Sequence, residues 1–321
     1  MQLNWLINPL SGGRQGACLE RILHELRRQG VFDGEIIQLN GGDAVSALER
    51  LSKAERIIVA GGDGTVSQVL ASVGGNALPV GVFPLGTAND LARELEERTG
   101  RRYAALPLWP KSLSHENVKR RLTAFLNSSG EELDLWRLEY GAGFSQARIF
   151  CNYASFGYEA LIVREFNQWR RRPCWISRCT GALGNYLLYA GLALGNWQQG
   201  WIHGARLYNS ESGEVITFKR LRSVFLASIG KVMGIGVSKR AGRINDGKIE
   251  MLALESLTSY LTMLSSYKWS ISKPKLLGSA AAWEIEVLSP NTPVQVDGEP
   301  CPEISAPCRV SFAGTVKAAV V

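Results

Sequence analysis

Gly61-Gly62-Asp63-Gly64-Thr65 follows directly on the apolar run Arg56-Ile57-Ile58-Val59-Ala60. A short β-branched run that ends in a glycine cluster is a buried strand stopping in a tight loop. Thr65-Val66-Ser67-Gln68-Val69-Leu70 then opens a helical pattern. Strand, glycine loop and helix N-terminus together make an anion site, because glycines let backbone N–H groups approach a phosphate and the helix dipole favours its charge. An aspartate inside such a loop makes sense once a divalent cation sits between carboxylate and phosphate. No Gly-Lys-Ser/Thr follows, and the third glycine of the dinucleotide fingerprint is missing, so this is a different phosphate loop from either. For the pentapeptide alone an ordinary turn is the competing reading.

The same arrangement recurs twice. Gln2–Ile7 reads as a strand ending in Asn8-Pro9-Leu10-Ser11-Gly12-Gly13-Arg14-Gln15-Gly16, ahead of a helical stretch from Leu19 to Leu26. Pro79-Val80-Gly81-Val82-Phe83 leads into Pro84-Leu85-Gly86-Thr87-Ala88-Asn89-Asp90-Leu91-Ala92-Arg93, with Thr87, Asn89 and Asp90 expected in the first turn of a helix.

Residues 1–134 alternate strand and helix: 2–8, a helix to Gln29, 35–39, a helix from Asp43, 56–60, a helix, 80–83, and a helix from Thr87. Repeated units of this length predict a parallel sheet covered on both faces, with ligands bound beyond the carboxyl ends of its strands. The polar stretch from Arg98 to Gly130 is expected to be a loop-rich connection. Beyond it strands dominate: 134–139, 147–153, 204–208, 215–218, 223–229, 248–254, 283–288, 293–296 and 308–312. Helical regions interrupt them at 161–197 and 257–272. The fold class is therefore α/β: a parallel-sheet nucleotide-binding domain, 1–134, followed by an antiparallel β-sandwich domain with inserted helices, 135–321. Only a few C-terminal residues are free to return to the first domain.

Composition narrows the function. At 45% hydrophobic and 20% charged over 321 residues, the chain has ample core for two domains and is not disordered. No basic segment leads into an apolar signal core, and no apolar run reaches the ~20 residues a bilayer span requires. A cytoplasmic protein is expected. Cys18, Cys151, Cys174, Cys179, Cys301 and Cys308 are scattered without a Cys-x-x-Cys pair, which points to reduced thiols rather than zinc. The formal charge of +7 points to an anionic partner. Lys119-Arg120-Arg121, Lys239-Arg240 with Arg243, and Arg170-Arg171-Arg172 with Arg178 are each most simply solvated surface. The stretch 166–201 differs, since it mixes arginines with Trp169, Trp175, Trp197 and Trp201. That mixture suits peripheral contact with an anionic membrane at the inner face, and equally a helix packed on the second domain. No nucleic-acid module is recognisable.

In this order, Asn-Pro-x-Ser-Gly-x-x-x-Gly, Gly-Gly-Asp-Gly-Thr and Pro-x-Gly-Thr-x-Asn-Asp-x-Ala-Arg resemble the diacylglycerol kinase catalytic family, nearest to its soluble bacterial lipid kinases, relatives of sphingosine and ceramide kinases. The second motif is shared with NAD kinases; the third discriminates. Weaker matches follow at Glu132-Leu133-Asp134-Leu135, Asn152 to Ala160, Asn245-Asp246-Gly247 and Val296-Asp297-Gly298-Glu299. Trp136 stands where the family has glycine, Glu159 where it has aspartate, Gln68 where glutamate is frequent, and Asn40 near a frequent threonine.

The resemblance implies an ATP- and Mg²⁺-dependent kinase that phosphorylates a hydroxyl of a diacylglycerol-like lipid. Gly61, Gly62, Gly64 and Thr65, with Ser11 and Gly12, would hold the ATP phosphates through backbone N–H groups, and Asn8 and Thr87 match nucleotide contacts. Asp63, Asp90 and Asp134 match the aspartates that position Mg²⁺, largely through water. Asp297 would be the general base with Glu299 in support, although Asp-Gly alone reads as a hairpin turn. Asp246 matches a structural metal ligand, with a plain turn equally open. NAD kinase, and a lipid- or nucleotide-binding relative without kinase activity, are the alternatives. A homodimer is left open.

Overall fold

The computed structural model describes residues 3–39, 44–49, 51, 56–74, 79–100, 113–171, 181–233, 236–237, 243–265, 273–287, 289–304 and 306–321. Expectations at Asn40, Asp43, Arg172, Cys174, Trp175, Arg178, Cys179, Lys239 and Arg240 lie outside them. The chain divides into two compact units, residues 1–133 with 315–321, and 134–314.

In the first unit the strands are β1 (Asn4–Ile7), β2 (Ile36–Gln38), β3 (Ile57–Gly61) and β4 (Val80–Pro84). They alternate with α1 (Ser11–Arg28), α2 (Ala44–Glu49), α3 (Asp63–Val73) and α4 (Asp90–Thr99), and α5 (His115–Leu126) follows. All pairings are parallel, in the order β2-β1-β3-β4. Because β1 lies between β2 and β3, the strand order reverses direction beside it, and the crevice at such a switch point is where open parallel sheets bind ligands. Leu19, Ile22, Leu23 and Leu26 recur at helical spacing on α1 and pack with Trp5, Ile7, Ile58 and Phe83 of the sheet and Leu122 and Phe125 of α5.

Helix α5 corrects the expected loop-rich connection. Ser114 caps it by accepting the Asn117 N–H at 3.2 Å, and Val118, Leu122 and Phe125 form its buried stripe. The Lys119-Arg120-Arg121 surface cluster is corrected as well. Arg121 is buried; its guanidinium donates to the Val321 carbonyl and lies 3.9 Å from the centre of the Phe83 ring. Three helix starts also differ from expectation. Helix α1 begins at Ser11 and α3 at Asp63, so these glycine loops are partly first helical turns, whereas α4 begins only at Asp90 and leaves Thr87 in the loop.

The second unit takes in most of β5 (Glu131–Tyr140), then β6 (Gln146–Phe150), β7 (Tyr153–Gly157), α6 (Tyr158–Arg171), α7 (Gly181–Gly195), β8 (Ile202–Asn209), β9 (Val215–Leu221), β10 (Ser223–Ala227), β11 (Lys231–Val232) and β12 (Gly236–Val237). After these come β13 (Ile249–Leu254), α8 (Leu257–Leu264), β14 (Lys275–Ala280), β15 (Ala282–Val287), β16 (Thr292–Val296), β17 (Glu299–Ile304) and β18 (Cys308–Val320). Strands β14-β13-β10-β7-β16-β17 form an antiparallel sheet. Strands β18-β15-β8-β9 form a second antiparallel run, and β5 pairs with β6. Between them lies a core that includes Trp136, Phe156, Leu226, Met251, Trp283 and Val310. Trp136, at the family's glycine position, is wholly buried there, with its Nε1 donating to Ser228 Oγ at 3.0 Å. The opposite face of the β7–β10–β13 sheet carries α6, α7 and α8 over Tyr158, Ile162, Tyr189, Phe225 and Tyr260. Strands β7, β11, β12, β14 and β17 were not expected. β18 joins both units: residues 308–311 pair with β15, and residues 318–320 run parallel to β4.

Candidate functional site: phosphate loops of the first unit and the Asp297 turn of the second

Three strand-to-helix connections leave the carboxyl ends of β1, β3 and β4, and the backbone locks them together. Asn8 N–H donates to Ala60 O at 2.9 Å, and Leu85 N–H to Gly61 O at 2.8 Å. Asn8 Nδ2 donates to Thr65 Oγ1 at 3.0 Å, which ties the β1 loop to the first turn of α3. Glycine is required where the loops cross. A Cβ on Gly12 would fall 2.4 Å from Leu85 O, and its φ of +62° is left-handed. A Cβ on Gly86 would lie 2.6 Å from Gly62 Cα. Thus Ser11, Gly12, Gly61, Gly62, Gly64, Thr65 and Thr87 share one face of this unit.

Asp63 is half-buried in the first turn of α3, and its Oδ1 accepts the Leu91 N–H of α4 at 3.2 Å. One carboxylate therefore links the starts of two helices. Asp90 is fully buried at the first position of α4. Asn89 ahead of it holds φ 51°, with Nδ2 donating to Gly86 O at 2.8 Å. Gly86 and Asn89 are structural parts of the loop that the sequence reading quoted without giving them a role; the signal was Asn-Asp at a helix start, since asparagine tolerates the left-handed region.

The remaining expected residues belong to the second unit. Asp134 is buried, and its Oδ2 accepts the Gly247 N–H at 2.8 Å while its own N–H donates to Ile244 O. Asp246 is exposed, and its Oδ1 accepts the Lys248 N–H at 3.1 Å within the same turn. Asp134 and the Asp246 turn are thus brought together. Among the described residues no three His, Cys, Asp or Glu side chains cluster as a metal site. The Asp63 loop suits Mg²⁺ on different grounds: a carboxylate sits beside backbone donors for phosphate, and Mg²⁺ is usually held by one or two carboxylates together with phosphate and water.

Asp297 and Gly298 form the two-residue turn between β16 and β17, with φ of 49° and 80° and Val296 paired to Glu299. Positive φ at both central positions is the type I′ hairpin that Asp-Gly favours. Oδ1 of Asp297 accepts the N–H groups of Asn152 and Tyr153, each at 2.9 Å, and Oδ2 that of Cys151 at 3.0 Å. The carboxylate therefore fills the gap where β6 ends and β7 begins. Glu299 is half-buried beside the turn. Glu159, in the first turn of α6, is wholly buried; burial pushes its pKa up to about 7 despite hydrogen bonds from Ser155, Gln295 and Tyr189. An apolar cleft of about 370 Å³ in the same unit is lined by Tyr189, Ala193, Met233, Leu257, Leu261 and Leu264. Leu187, Leu194 and Trp197 on and just after α7 are exposed, whereas the Trp201 ring has the guanidinium groups of Arg220 and Arg222 at 3.5 and 3.7 Å. Among the described residues no helix is long and apolar enough to cross a membrane.

A switch-point parallel sheet with three interlocked glycine loops is an arrangement suited to phosphate, here joined to an antiparallel β unit. Comparison with known proteins assigns both. Residues 2–111 match the diacylglycerol kinase catalytic domain and residues 149–300 the diacylglycerol kinase accessory domain. Human diacylglycerol kinase iota is 30% identical over 211 residues, covering 60% of this chain and 18% of the relative. A diacylglycerol kinase of Mycobacterium tuberculosis is 29% identical over 171 residues, covering 51% of this chain and 48% of the relative. A crystal structure of a diacylglycerol kinase from Bacillus anthracis str. Sterne superimposes with a TM-score of 0.64 at 17% identity, covering 98% of this chain and 96% of that one. The chain belongs to the diacylglycerol kinase family, and it spans about a fifth of the human relative's length and about half of the mycobacterial one's.

Proposed function

We propose that this protein is an ATP- and Mg²⁺-dependent lipid kinase that transfers the γ-phosphate to a hydroxyl of a diacylglycerol-like lipid. The observation that carries the reading is the interlocking of the three glycine loops at the ends of β1, β3 and β4, within a chain whose two halves both match this family. Backbone N–H groups of Gly61, Gly62, Gly64 and Thr65, with Ser11 and Gly12, hold the phosphates, and Asn8 and Thr87 border the nucleotide. The first turns of α1 and α3 add their dipoles to that charge. Asp63 would hold Mg²⁺, with Asp90 and Asp134 matching the further carboxylates of that role; the ion would supply charge neutralisation on the phosphates. Asp246, exposed in its own turn, is read as a structural position.

Asp297 accepts the proton of the lipid hydroxyl. Three backbone donors orient it, and phosphoryl transfer asks little of a base beyond being in place as the O–P bond forms. Glu299 supports the same turn. The apolar cleft of the second unit accommodates acyl carbons, and exposed Leu187, Leu194 and Trp197 provide peripheral contact with a cytoplasmic membrane face.

Transfer of labelled γ-phosphate tests the reading, with diacylglycerol and other lipids in mixed micelles, NAD in a parallel reaction, and Asp63→Asn and Asp297→Asn as controls. Label on a lipid that both substitutions abolish supports it. Label on NAD, or on no acceptor while ATP binds, sinks it.

A further inference from the structure

Gln295 is wholly buried on β16, two residues before Asp297. It pairs directly across the ladder with Ser155 of β7, so both side chains share the face toward α6. Its Oε1 accepts the Gly298 N–H at 2.8 Å. That N–H can only donate, so the amide oxygen must point at the turn and Nε2 must point away from it. Nε2 there meets two acceptors, Ser155 Oγ at 3.0 Å and Glu159 Oε2 at 3.1 Å, while the Ser155 hydroxyl donates to the same Glu159 oxygen. Glu159 is fixed in turn, its N–H donating to Ser223 Oγ at 3.0 Å.

We propose that Gln295 is a positioning residue for Asp297: Ser155 and Glu159 orient its amide, and the amide oxygen holds the left-handed turn that aims the carboxylate. Asp297 holds φ 49°, a left-handed conformation that aspartate reaches more readily than most residues but still at a cost that needs compensation. The hydrogen bond from Gly298 into the buried amide supplies that compensation from inside the protein. The inference rests on the reading of Asp297 as proton acceptor, and it goes beyond it by assigning work to three buried residues, Ser155, Glu159 and Gln295.

Two substitutions and their combination test it. Gln295→Glu keeps an acceptor for Gly298 but faces Glu159 with a second carboxylate, and two carboxylates this close cannot both ionise. The other titratable groups facing Glu159 are the phenols of Tyr189 and Tyr260, which burial holds above their ordinary range, and Tyr158 close by. Gln295→Glu should therefore retain lipid-phosphorylating kcat in mild acid and lose about 10–100-fold toward alkaline pH, with KM for ATP unchanged. Adding Glu159→Gln restores one amide facing one carboxylate and should recover the alkaline kcat. Gln295→Leu should cost a similar factor at all pH values, yet nothing further in an Asp297→Asn background, because both act on one step. Hydrogen exchange supplies a readout independent of activity: the peptide spanning 297–299 should exchange faster in Gln295→Leu and unchanged in the double swap. If the wild type phosphorylates no lipid, the kinase reading falls, and the exchange arm still decides the relay. Unchanged exchange at the turn in Gln295→Leu, or a swap variant that fails to recover, overturns the inference.

Discussion

Replacing Glu159 with glutamine should flatten part of the pH dependence of stability. The carboxyl is wholly buried, and desolvation pushes its pKa from 4.5 up to about 7, outweighing hydrogen bonds from Ser155, Gln295 and Tyr189. Between these values the folded protein keeps a proton that the unfolded chain has released. Stability falls with rising pH wherever the folded state binds more protons. The contribution is therefore complete below about pH 4.5 and lost as pH rises through about 7. A span of about 2.5 pH units corresponds to roughly 3 kcal/mol.

Urea unfolding of the wild type and Glu159→Gln from about pH 5 to about pH 8 measures this, because every other titrating group cancels in the difference. Glutamine stays neutral and still offers Ser155 and Gln295 an acceptor. It should gain on the wild type as pH rises, by up to roughly 3 kcal/mol, with unchanged m-values. Tyr189 and Tyr260, both raised well above 10, stay neutral and do not contribute across this range. Parallel stability curves would refute the reasoning: Glu159 would then be ionised throughout, and its donors would outweigh its burial.

Other perturbations follow from the same geometry. Arg121→Met removes the charged donor to Val321 O and the stacking on Phe83, and should cost about 2–4 kcal/mol in urea unfolding. Gly86→Ala drives a Cβ to 2.6 Å from Gly62 Cα; it should lower stability by about 1–3 kcal/mol and weaken ATP binding about tenfold or more in calorimetry. Asp63→Asn keeps an oxygen for the Leu91 N–H, so the fold should persist by circular dichroism while phosphate transfer drops about 100-fold or more. Leu187→Ser with Leu194→Ser should reduce sedimentation with anionic liposomes by about tenfold or more, with thermal stability unchanged.

The parallel sheet was legible because each of its strands is a short apolar run closed by glycine or proline, and each loop glycine answers a backbone demand. Gly12 must take a positive φ against Leu85 O, and a Cβ on either Gly62 or Gly86 would press on the other's α-carbon. Helix starts were less legible. Ser11-Gly12-Gly13 and Asp63-Gly64 look like loop, yet they open helices, where propensity matters little because no N–H there needs an intrahelical partner. Helix α5 was hidden by its polar surroundings, although Val118, Leu122 and Phe125 carry the period. Strand β17 was missed because Pro300 and Pro302 argue against a strand. It lies at the edge of its sheet, where missing donors are tolerated.

The second unit shows why a site is harder to read than a fold. Val296-Asp297-Gly298-Glu299 offers two interpretations in sequence, a hairpin turn or a functional carboxylate; the structure shows the turn, and the turn is compatible with the proposed role of its carboxylate. The type I′ turn needs left-handed conformations at both central positions, and an aspartate placed there swings its carboxylate onto the N–H groups of residues 151–153. Asparagine would tolerate the same φ but would turn an NH₂ toward one of those donors. The turn therefore specifies glycine at 298 for backbone reasons and aspartate at 297 for hydrogen-bonding reasons. Gln295 carries no comparable local signal. Which way its amide faces is set by the Gly298 N–H on one side and by Ser155 and Glu159 on the other, 140 and 136 residues earlier in the chain, and only the folded ladder brings these two within 3.1 Å.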